Sequence, residues 1–134
     1  MGIQVTWDDK AKGILRYDFG ENWTWDDFFA AVSTAKSLID EVPGLVGIIM
    51  NTEAERMQYP PNMLTNMRKA LSGKHPRTRI IVVVAKNQFL LVMLNILSQI
   101  TGVSGKAMRA ANDLPEARKL VSEYLDAVRG RETP

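Results

Sequence analysis

A chain of 134 residues, 46% hydrophobic and 24% charged, has the length and composition of one globular domain. That excludes a disordered segment, a collagen-like repeat and a coiled coil. There is no cysteine, which excludes disulfides and thiolate chemistry, and the single histidine, His75, excludes a polyhistidine metal site within one chain. The formal net charge of +2 is unevenly spread: residues 1–55 carry ten acidic and four basic side chains, whereas residues 56–109 carry nine basic and no acidic ones. If Arg68, Lys69, Lys74, Arg77, Arg79 and Lys86 share a face, that face attracts anions. Otherwise the acids of the first third balance it in three dimensions.

Residues 3–8 alternate, with Ile3, Val5 and Trp7 on one side and Gln4, Thr6 and Asp8 on the other, as in a half-buried strand. Asp9 to Gly13 is a polar turn, and residues 14–19 alternate again, so the pair reads as an antiparallel hairpin. Thr24 stands three residues before Asp27 and opens a capping box. Trp25, Phe28, Phe29, Val32, Ala35 and Ile39 then follow at helical spacing, predicting a helix over 25–42 that Pro43-Gly44 ends. The apolar run 45–50 is expected to be a strand buried on both faces.

Residues 51–62 form the longest irregular stretch and close on Pro60-Pro61. Met63, Leu64, Met67, Ala70 and Leu71 predict a second helix, with Gly73 as its stop. The run 80–85 is the strongest buried-strand signal. Asn87 can cap a helix running to about Thr101, residues 106–111 fit a short edge strand, and Asp113 with Glu116 frames a last amphipathic helix through Val128. Strands alternating with helices imply an α/β domain with a mixed, mostly parallel sheet of about five strands and about four helices. Only 130–134 reads as a flexible tail, leaving 1–129 as the domain.

The N-terminus lacks the basic-then-apolar pattern of a secretory signal. The longest strongly apolar run, Phe89 to Leu97, is about half a membrane span. A cytoplasmic protein without a membrane span is expected.

The element order, the YDF strand, the TWDDFFAAV helix start and the IIVVVAKNQFLLVMLNI segment resemble the STAS-like proteins, in the branch similar to the sporulation anti-sigma factor antagonist. The resemblance covers residues 3 to about 128 and implies a single-domain STAS-like fold acting in regulation through protein partners. Family members that antagonise anti-sigma factors carry an Asp-Ser pair where the central strand meets the next helix, and phosphorylation of that serine breaks the complex. The corresponding stretch here, 51–62, has no serine; its nearest hydroxyl, Thr52, follows Asn51 rather than an aspartate. The resemblance therefore implies an interaction module without the serine phosphoswitch. Other proteins of this fold, and the related lipid-carrier fold, imply a small apolar ligand as the alternative.

No catalytic constellation, nucleotide loop or cofactor motif is present, so no enzyme activity, cofactor or metal is expected. Asp26-Asp27 reads as first-turn helix chemistry and Asp8-Asp9 as turn chemistry. His75, before Pro76 in a basic loop, reads as an exposed histidine without a catalytic role. Open parallel sheets bind ligands at the carboxyl ends of their strands. That rule makes Asn51, Thr52, Arg56, Tyr59, Met63, Met67, Asn87 and Phe89 the candidate binding residues.

Between Lys86 and Lys106 no residue is charged, and Phe89, Val92 and Ile96 fall outside the apolar stripe of Leu90, Met93, Leu94, Leu97 and Ile100. A helix apolar on more than one face is either covered twice or forms a contact, so Phe89, Val92 and Ile96 are the candidate face of a homodimer. The basic block lacks interleaved aromatics and any helix-turn-helix signature, which argues against nucleic acid.

Overall fold

The computed structural model describes residues 2–52, 60–85, 91–92, 95–96 and 108–132. Five strands form one mixed sheet in sequence order: β1 (Ile3–Asp9), β2 (Ile14–Phe19), β3 (Val46–Asn51), β4 (Thr78–Val84) and β5 (Met108–Ala111). β1 pairs antiparallel to β2, and every later pair is parallel. Three helices are described, α1 (Trp25–Asp40), α2 (Met63–Ser72) and α3 (Leu114–Glu132). Of the helix expected over 88–101, Leu91, Val92, Asn95 and Ile96 are helical, and the other positions lie outside the described residues.

Strand alternation divides the core in two. Leu15, Tyr17, Ile48, Met50, Ile81 and Val83 face α1 and α2, and Leu91 packs on the same side. Ile14, Ile49, Ile80, Val82 and Val84 face α3, meeting Ala117, Val121 and Leu125. α3 seats closely because β3 carries Gly47. A Cβ there would stand 2.4 Å from Val121 Cγ1 and 2.9 Å from Ile80 Cγ2.

The start of α1 follows its sequence signal, while its end comes at Asp40, short of the expected 42. Thr24 Oγ1 accepts from Asp27 N at 3.1 Å, and Asp27 Oδ2 accepts from Thr24 N at 3.0 Å, completing the capping box. At α3, Asp113 Oδ1 accepts from Glu116 N at 2.9 Å, but the Glu116 carboxylate returns to Asn112 rather than to Asp113, so the box is shifted by one residue. α3 also continues past position 129, through Gly130 to Glu132. Arg129 holds that turn by donating to the carbonyls of Lys12 and Leu45, each at 3.0 Å.

α1 has no basic residue in its last turn. Arg77, just before β4, serves instead. Its guanidinium donates to the carbonyls of Ile39, Val42 and Gly44, each at 2.7 Å, one in the last turn of α1 and two in the connection that follows. Three basic residues of the 56–109 block have local roles among the described residues. Arg77 is a structural clamp, Arg79 Nη1 donates to the Pro76 carbonyl, and Lys69 lies 5.3 Å from the centre of the Phe29 ring.

Candidate functional site

The expected binding residues separate onto two faces of the sheet. Asn51 and Thr52 stand at the carboxyl end of β3, where alternation turns Asn51 away from Met50 and toward the α3 face. There Asn51 Nδ2 donates to Asp18 Oδ1 at 3.0 Å. Thr52 Oγ1 donates to the Val84 carbonyl, which ties the hydroxyl to the neighbouring strand. Met63 is buried in the opposite core, and Met67 is half-buried on that side. Arg56, Tyr59, Asn87 and Phe89 lie outside the described residues. Of the suggested dimer face, Val92 is 54% exposed and Ile96 is partly exposed, while Phe89 lies outside the described residues.

On the α3 face an ionic chain crosses β1 and β2. Arg16 bridges Asp18 at 2.9 Å and Asp8 at 2.6 Å, and Arg118 of α3 grips the same Asp8 with two bonds of 2.9 and 3.0 Å. The Asp8 side chain is only 3% exposed. Hydrogen bonding from Arg118, reinforced by the charges of Arg118 and Arg16, holds its carboxyl below the usual carboxylate range against the opposing effect of burial. Asp8 is therefore an anchor between β1 and α3 and not a turn residue. Asp9 does fit the turn reading, since its Oδ1 accepts from Lys12 N at 3.1 Å. Asn51 Oδ1 is buried without a hydrogen-bond partner at the end of this chain.

The other face holds a cleft between α1 and α2. Its empty volume is about 410 Å³ counting the open mouth. Tyr17, Ile48, Met50 and Ile81 form its floor, Phe28, Val32 and Ile39 one wall, and Met67 and Leu71 the other. Burial pushes the Tyr17 phenol well above its ordinary pKa, so it stays neutral.

The polar groups gather at one end of the cleft: Lys36, Lys74, His75 and Thr78. His75 is 11% exposed by side chain, not the open loop residue expected. Its Nδ1 accepts from Arg77 N at 3.1 Å, which leaves Nε2 to donate to Asp40 Oδ1 at 2.8 Å. Neither Lys36 nor Lys74 has an ion-pair or side-chain hydrogen-bond partner among the described residues.

Thr78 reaches this cleft through an irregularity. Val46 pairs with Thr78 and Gly47 with Ile80, so Arg79 is the extra residue of a β-bulge. Regular alternation from Ile80 would put Thr78 on the α3 face; the bulge returns it to the cleft. The residue is 4% exposed, and its hydroxyl has no hydrogen-bond partner. A buried hydroxyl in that state costs roughly 1–3 kcal/mol.

Sequence reasoning missed Thr78, Tyr17 and Lys36. A threonine opening an apolar strand gives no sign of a bulge, and Lys36 looks like any polar-face residue of an amphipathic helix. Among the described residues no group of three or more histidine, cysteine, aspartate or glutamate side chains could hold a metal ion, and no helix is long and apolar enough to cross a membrane. Comparison with family models, with curated proteins and with solved structures finds no match to this chain.

Proposed function

We propose that this chain is a non-enzymatic regulatory and interaction module of the STAS type, cytoplasmic, whose first partner is a second copy of itself. The observation that carries the reading is Val92, a large hydrophobic side chain 54% exposed on a helical segment whose Leu91 packs into the core. Ile96 stands one turn further along the same face, within a stretch of sequence that has no charged residue between Lys86 and Lys106. The occupied hydroxyl of Thr52 supports a module that works without a phosphoswitch at that position. Replacing Val92 and Ile96 together by glutamate gives a monomer by light scattering on this reading. A dimer that persists in the double variant overturns the interface.

A second reading, a binder of a small apolar ligand, is favoured by one observation. Met67, one of the expected binding residues, lines the cleft between α1 and α2 together with Met50, and methionine adapts to varied apolar shapes. The cleft runs along α1 from Phe28 to Ile39 and along α2 from Met67 to Leu71, with Thr78 at the start of β4 in its lining. Its floor reaches Met50 near the carboxyl end of β3, whereas Thr78 stands at the amino end of β4, away from the strand ends where a ligand was expected.

A further inference from the structure

We propose that the cleft between α1 and α2 binds a small amphipathic monocarboxylate, with its chain on Tyr17, Met50 and Met67 and its carboxylate at Thr78, Lys36 and Lys74. The proposal rests on the second reading above, that the cleft is a ligand site, and names the class of ligand. Three observations lead to it. Besides the Tyr17 phenol, its polar side chains are Lys36, Lys74, His75 and Thr78, all from segments near the start of β4, so it matches a molecule with one polar end and a largely apolar chain. The Thr78 hydroxyl, buried and unpartnered, is carried to that end by a bulge that breaks the alternation of β4. It is a donor held ready for an acceptor.

Charge selects the sign of the head group. Lys36 and Lys74 have no ion-pair or side-chain hydrogen-bond partner among the described residues. Of the carbonyls at and just past the end of α1, which would repel an anion, those of Ile39, Val42 and Gly44 already accept from Arg77. The nearby acid Asp40 is engaged by His75 Nε2 at 2.8 Å. A carboxylate accepts from a hydroxyl and two ammonium groups with charge-assisted bonds. An alcohol of the same chain length keeps the apolar contacts and loses those bonds.

The test is an amide NMR titration of the full chain, near neutral pH, with sodium hexanoate and separately with 1-hexanol. Hexanoate shifts the amides around Lys36, Lys74 and Thr78 and binds about tenfold more tightly than hexanol. Lys36→Gln and Lys74→Gln each bring hexanoate down toward the affinity of hexanol and leave hexanol unchanged. Thr78→Val weakens hexanoate while its spectrum remains that of a folded chain. If neither compound shifts those amides, the ligand-site reading itself fails. If both bind equally and the lysine variants change nothing, the site stands and the carboxylate assignment falls.

Discussion

Arg77 donates a hydrogen bond of 2.7 Å to the carbonyl of Ile39, so the residue just before β4 closes the last turn of α1. The same guanidinium reaches Val42 and Gly44, and one planar fork thereby fixes the helix end and the connection into β3. Arg77→Ala is expected to lower stability by about 2 kcal/mol, measured by urea denaturation. Arg77→Lys recovers less than half of that, because one ammonium cannot reproduce the fork. An unchanged midpoint in Arg77→Ala would show that the clamp is not structural.

Asp8 makes stability depend on acid. Its folded-state pKa is depressed by Arg118 and Arg16, so its contribution is fully present above its unfolded value near pH ~4 and is lost as pH falls through the lower folded value. Asp8→Asn should therefore cost about 2 kcal/mol at neutral pH, with the difference from the parent chain shrinking below pH ~4. A gap that stays constant down to acid unfolding contradicts the ion-pair assignment.

Gly47 sets how closely α3 approaches the sheet. With Val121 Cγ1 only 2.4 Å from the position of an added Cβ, Gly47→Ala must push the helix outward or shift β3. The expected cost is about 1–3 kcal/mol, read as a lower melting temperature. A neutral result would mean that α3 is less tightly seated than the packing indicates.

Thr78→Val removes a buried hydroxyl that has no partner and keeps the side-chain shape. The variant is expected to be as stable as the parent or more stable by up to about 1 kcal/mol, while losing affinity for a carboxylate in the cleft. A gain in stability with a loss of binding is the pattern of a group retained for function. A loss of stability would show that the hydroxyl is structurally satisfied in solution.

Much of the fold was legible because its signals are local. The alternation of residues 3–8 and 14–19 specifies the hairpin, and Thr24 with Asp27 marks the start of α1 within the first turn. Gly73 marks the end of α2 in the same way. The candidate site was less legible because it depends on relations that sequence spacing does not carry. Asn51 and Met67 looked like neighbours at one end of the sheet, but strand alternation puts the Asn51 side chain on the α3 face and leaves Met67 beside Met50 on the other. Asp8 looked like half of a turn pair, and its partner Arg118 stands 110 positions away. The bulge at Arg79 turns Thr78 from one face to the other, and no residue type announces it.

The measurement that tests the central claim most directly is native mass spectrometry of the purified chain beside the Val92→Glu, Ile96→Glu double variant. The account predicts a dimer for the parent chain and a monomer of intact fold for the variant. A parent chain that is monomeric throughout, or a variant that remains dimeric, contradicts self-association through the face that Val92 and Ile96 share.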